Sequence, residues 1–176
     1  MKKLAIAAAL VAVIPNVVQA QSGPLRAFLQ GYEEVPSVAT RASGTFEARV
    51  ARDSQSVDFT LEYSGLQGTV TQAHIHFAQK SVNGHIVVWL CGTATNPGPA
   101  NTQTCPAGGG TVSGTFTAAN VLPSTGTSAG QQLAAGDLAR FIDAMESGVA
   151  YVNVHTSLSP GGEIRGQVSA RGDSGR

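Results

Sequence analysis

The stretch TFEARVARDSQSVDFTLEY, Thr45 to Tyr63, decides the fold class. Phe46, Ala48 and Val50 alternate with Thr45, Glu47 and Arg49; after a polar break at Arg52 to Gln55, Val57, Phe59, Leu61 and Tyr63 alternate with Asp58, Thr60 and Glu62. Side chains on a strand point alternately to opposite faces, so this period of two describes two half-buried strands joined as a hairpin. Working outward, the same signal places strands at Leu25 to Gln30, Val70 to Phe77, Ile86 to Leu90, Val112 to Thr117, Tyr151 to Thr156 and Glu163 to Ser169. About eight short strands separated by turn residues predict an all-β, antiparallel sandwich or barrel. One segment breaks the pattern. Leu138, Phe141, Ile142 and Met145 recur at helical spacing, which predicts one short helix near residues 136–147, with Asp137 at its start and Gly148 just past its end. Residues 118–132 are small and polar and read as a surface loop.

Composition narrows the function classes. The chain has 176 residues, enough for one domain, with 11 basic and 11 acidic side chains and no net charge. A neutral chain with 6% aromatics offers neither the electrostatic footprint nor the stacking platform of a nucleic-acid binder. Lys2 and Lys3 followed by the apolar run Leu4 to Ile14 and a small residue at Ala20 have the layout of a signal peptide over residues 1–20. The domain is then expected over 21–170, with a disordered tail at 171–176 and no membrane-spanning segment after cleavage. A secreted or periplasmic location follows, and there an even cysteine count predicts a Cys91–Cys105 disulfide. It clamps a loop of Gly, Pro, Ala, Thr, Asn and Gln, with a stabilisation of roughly 3 kcal/mol.

The chemistry-bearing residues concentrate on the polar faces of three strands. Ala73, Ile75 and Phe77 share the apolar face of one, so His74 and His76 project together from the other, about 7 Å apart along the strand. Val152 and Val154 leave Tyr151, Asn153 and His155 on the opposite face; Ile164 and Val168 do the same for Glu163, Arg165 and Gln167. Ser157 to Gly162 should turn the last two strands into a hairpin, with His155 opposite Glu163 and Asn153 opposite Arg165. Two same-face imidazoles and a third from a later strand make His74, His76 and His155 a candidate metal set. Imidazoles suit copper first and zinc second, and calcium or magnesium poorly. Asn153 or Glu163 would orient an imidazole, and Arg165 would stand nearby without ligating, because guanidinium keeps its protons. Two blander readings compete: solvated polar side chains on an outward face, or a buried hydrogen-bond network that only fixes the fold.

Three segments carry a resemblance to a known family. LQGYEEVP (Leu29 to Pro36), AHIHFAQKSVNGHIVVWL (Ala73 to Leu90) and YVNVHTSLSPGGEIRGQ (Tyr151 to Gln167) resemble the CHRD domain, the chordin-type domain widespread in exported bacterial proteins, over about residues 25–168. The resemblance implies an extracytoplasmic β-sandwich or barrel and no particular activity. His85 stands where that family has Gly or Pro, so a shared role does not carry over; it stays as an additional candidate ligand on residue type alone. The order His74, His76, His85, His155, Arg165, with a disulfide from Cys91, is similar at a lower level to the Cu/Zn superoxide dismutase barrel. That similarity implies copper binding, but no second histidine set with an aspartate is present to hold zinc. The leading expectation is therefore an exported binding protein for a transition metal or another extracytoplasmic ligand. The alternatives are a copper-dependent dismutase-like enzyme, with Arg165 drawing in an anion, and a metal-free protein- or matrix-interaction module. G-x-S-x-G at Gly126 to Gly130 lacks the strand-to-helix context of a hydrolase elbow, and Arg171-Gly172-Asp173 reads as a chance tripeptide.

Overall fold

The computed structural model describes residues 23–124 and 130–170. The predicted signal peptide, the tail and most of the G-x-S-x-G string lie outside these residues. Eight strands form one antiparallel sheet: β1 Leu25–Gln30, β2 Ser43–Val50, β3 Ser56–Ser64, β4 Val70–Phe77, β5 His85–Cys91, β6 Gly110–Thr117, β7 Ala150–Thr156 and β8 Ile164–Val168. Their order is β5-β4-β7-β8-β1-β2-β3-β6, which curls into a nearly closed barrel. The alternation in β2 and β3 translates directly into register, with Phe46 opposite Leu61 and Ala48 opposite Phe59. Inside, Leu25, Leu29, Phe46, Leu61, Val152, Val154, Ile164 and Val168 are buried, each worth roughly 1.5–3 kcal/mol of transfer free energy.

The seam between β5 and β6 is bridged by loops. Gln103 Nε2 donates to the Leu90 carbonyl at 3.1 Å, and the Leu122 amide donates to the Val87 carbonyl at 2.8 Å. Cys91 and Cys105 are disulfide-bonded and tie the 92–104 loop to the end of β5. The surface-loop expectation for residues 118–132 is corrected at Val121 to Ser124; residues 125–129 lie outside the described residues. Ala118–Asn120 form a 3-10 turn, and Val121 and Ser124 beyond it are buried because the segment fills the open side of the barrel. The helix α1 runs Leu138–Glu146. The Asp137 side chain caps it by accepting from the Arg140 amide, and Gly148 (φ +73°) ends it in the left-handed region. Its apolar face packs on the barrel, with Phe141 6.4 Å from Phe116.

The apolar faces of β4, β7 and β8 point inward as the alternation requires. Their polar faces are not solvated, however, and β7 is buried at every position. Three chain segments fold over this part of the outer surface. The 3-10 turn Gly31–Glu33 and its continuation bring Glu34, the β4–β5 connection runs across as residues 78–84, and the β7–β8 turn closes over as residues 157–163. Asn83 Nδ2 donates to the Val35 carbonyl, and Lys80 pairs with Glu33 at 3.3 Å, stitching two of these segments together.

Candidate metal centre

Pairing across the outer surface assembles the histidines. On β7, Asn153 lies opposite His74, Tyr151 opposite His76, and His155 opposite Gln72. On the other side of β7, Asn153 lies opposite Arg165, as the hairpin reading predicts. The three imidazoles therefore fall around one point, with Asn153 among them. His74 is 0% exposed, His76 7% and His155 6%, so the solvated-face reading fails. The ring of His74 lies 4.8 Å from that of His76 and 4.5 Å from that of His155.

Hydrogen bonds fix which nitrogens face inward. His76 Nδ1 is 2.9 Å from the Gly84 carbonyl, and His155 Nδ1 is 2.9 Å from the Pro160 carbonyl. A carbonyl only accepts, so each Nδ1 carries the proton and each Nε2 presents a lone pair. Both Nε2 atoms turn toward Asn153 Oδ1, at 3.1 Å from His76 and 2.9 Å from His155. His74 Nδ1 approaches His76 Nε2 at 2.9 Å, while its own Nε2 is buried without a partner. One donor atom from each histidine lies within 4.8 Å of the other two. Bonds of about 2.0–2.1 Å allow no more than about 4.2 Å between two donors, so an ion would draw the widest pair inward.

Burial keeps these rings neutral. It holds His74 well below the usual imidazole range, with His155 and His76 adding repulsion; it pushes His76 down to about 4 and lowers His155 as well. Neutral imidazoles are what a metal requires. Aromatic rings enclose the set: Trp89 meets His74 edge-on at 5.0 Å, and Tyr151 stacks on His76 at 4.5 Å with 2° between planes. The Arg165 guanidinium covers Tyr151 at 3.4 Å.

Not every predicted residue reaches the centre. Glu163 turns away: its carboxylate accepts from Thr40, from the Gln67 and Gly68 amides and from Thr156, which fastens the end of β7 to neighbouring loops and orients no imidazole. Arg165 stands nearby without ligating. It donates to Asn83 Oδ1 and to the Gln79 and Val82 carbonyls, and is 2% exposed. His85 pairs through its backbone with Phe77 and is not in the cluster. Sequence reasoning missed Glu34. It is buried, Oε1 has no partner, and burial raises its carboxyl to about 7, opposed by Arg165, the Val35 amide and a hydrogen bond from the Asn153 side chain. A buried carboxyl in so charge-poor a chain was discoverable only as an acidic residue inside the LQGYEEVP string.

The CHRD domain family matches residues 25–168, most of the chain. The chain belongs to the CHRD family. In this CHRD domain the matched span contains Glu34, the three imidazoles, Asn153, Arg165 and the disulfide. No curated protein and no solved structure matches it. Among the described residues no helix is long and apolar enough to cross a membrane.

Proposed function

We propose that this CHRD domain binds one transition-metal ion, copper first and zinc second, through His74, His76 and His155, and that it does so outside the cytoplasm as an exported protein. The observation that carries the reading is the orientation of His76 and His155. Each gives its Nδ1 proton to a backbone carbonyl and turns its Nε2 to the same point. Backbone acceptors that fix ring and tautomer in this way are the usual outer support of a metal-bound histidine. A merely structural network would give each ring nitrogen a hydrogen-bond partner, and His74 Nε2 has none. Export is supported by the signal-like N-terminus and by the disulfide. The dismutase-like alternative is not favoured, because Arg165 is covered and its donors engage the 79–83 segment instead of an incoming anion. The interaction-module alternative leaves the converging lone pairs unexplained.

The chain has a single tryptophan, Trp89, in edge contact with His74, which makes occupancy directly readable. Cupric ion added to the chelator-stripped protein should quench Trp89 fluorescence at one equivalent. His76→Ala and His155→Ala should each weaken binding at least tenfold. Unchanged copper affinity in both variants would remove this site.

A further inference from the structure

Resting on the metal reading above, we infer that the ion reaches the histidines through a gate, and that the gate is the β4–β5 connection at residues 78–84. With His74 0% exposed, His76 7% and His155 6%, the closed protein leaves no open path for an ion. One of the three covering segments must lift before metal enters or leaves, and they are not equally held. The 157–163 turn is fastened by the hydrogen bonds to Glu163 and by the Ser157 amide, which donates to the Thr69 carbonyl at 2.8 Å. The 31–36 segment buries Gly31 and Glu34. In the 78–84 segment residues 79–83 are all exposed, and only Ala78, at its base, is buried. Segments with little buried apolar area and exposed hydrogen bonds open at the lowest free energy.

The geometry suits a flap. The segment leaves and re-enters the sheet side by side: a Cβ at Gly84 would lie 2.7 Å from Ala78 Cβ and would clash with the Phe77 carbonyl oxygen. Loops whose ends meet are compact units, so this one swings without dragging its strands. Ser81 has φ +63°, a left-handed conformation that is costly for a residue with a side chain, so opening relieves strain. The closure itself is polar. Arg165 donates to Asn83 Oδ1 at 3.2 Å and to the Val82 carbonyl at 2.9 Å, Asn83 Nδ2 donates to the Val35 carbonyl at 3.1 Å, and Gln167 Nε2 donates to the Ala78 carbonyl at 2.9 Å. Water replaces these partners when the flap lifts.

Opening also acts on a ligand. The Gly84 carbonyl holds His76 Nδ1 at 2.9 Å, and the guanidinium of Arg165, pinned by the flap, lies over Tyr151, which stacks on His76. Lifting the flap takes away this anchor, and the His76 ring turns aside to admit the ion. Closing it restores the carbonyl that fixes the tautomer and turns Nε2 inward. Entry and ligand alignment are therefore one movement.

Stopped-flow mixing of chelator-stripped protein with cupric ion, read by Trp89 quenching, tests the gate. In the wild type the observed rate should rise with copper concentration and then level off at the opening rate of the flap. Asn83→Ala removes the contacts to Val35 and Arg165 from an exposed position. It should raise both the plateau and the rate of copper loss to excess chelator by roughly threefold to tenfold, the worth of a hydrogen bond. Equilibrium affinity should stay within about twofold, because the closed form predominates with and without the ion. Lys80→Ala, which breaks the pair with Glu33, should move both rates the same way by less. A rate that stays linear in copper with one slope in the wild type and Asn83→Ala, or a plateau that Asn83→Ala leaves unmoved, would overturn the gate and leave the three-histidine site standing. No quenching in any of the three proteins would overturn both.

Discussion

Glu34 makes the metal-free protein sensitive to pH in a way that one substitution isolates. Its carboxyl is raised from 4.5 to about 7, chiefly by burial. A group whose folded value lies above its unfolded value contributes stability that is fully present below the unfolded value and is lost as pH rises through the folded one. At 1.36 kcal/mol per unit, the whole effect is about 3 kcal/mol, and roughly 2–3 kcal/mol of it falls between pH 5 and pH 8. Glu34→Gln keeps the shape and cannot ionise. In urea unfolding of chelator-stripped protein, the variant should therefore gain roughly 2–3 kcal/mol on the wild type between about pH 5 and about pH 8. The histidines act in the opposite sense: His76, lowered to about 4, stabilises above its unfolded value of 6.5 and loses that contribution as pH falls. They titrate in both proteins and cancel in the difference. A stability difference that does not change with pH would refute the buried, neutral Glu34 and the packing of the 31–36 segment over Asn153.

Replacing Cys91 and Cys105 together by serine removes a bridge across 14 positions of sequence and should cost about 3 kcal/mol in urea unfolding. A loss below about 1 kcal/mol would mean that the loop's hydrogen bonds to Gly92 and Leu90 hold the seam unaided. At Gly166, an added Cβ would come within 2.7 Å of the Phe28 carbonyl carbon, so Gly166→Ala should destabilise by roughly 1–3 kcal/mol through the overpacked β1–β8 contact. Wild-type thermal stability in that variant would contradict the close approach of the two strands.

The barrel was largely legible because its signals are local. Alternation in Phe46–Val50 and Val57–Tyr63 needs only the neighbouring residues, and the β7–β8 register followed from symmetry about a short turn, down to Asn153 opposite Arg165. The clustering of His74, His76 and His155 was legible for the same reason: parity assigns a face. Parity does not say what covers that face. The burial of His155 depends on the 157–163 turn, and that of Arg165 on the 79–83 segment, through backbone carbonyls that carry no sequence signature. Glu163 illustrates the same limit. Register placed it beside His155, but two free amides at Gln67 and Gly68 and two hydroxyls outcompeted an imidazole for its oxygens. The 118–124 segment looked like a surface loop because small residues give no period, and only closure of the barrel reveals the seam it fills.

The connection between β7 and β8 has a fixed length. Within a few residues it presents the Pro160 carbonyl to His155, the bare Cα of Gly162 to Glu34 and Asn153, and the Glu163 carboxylate to the amides of residues 67 and 68. Each contact sits at a set distance along the chain from the same strand end. The exposed turn at residues 52–55 holds no such group and is a place where an insertion would be absorbed. One residue added or removed between Ser157 and Gly162 would put all three groups out of phase at once, so natural variation in loop length should bypass this turn even where its exposed residues, such as Leu158, change freely.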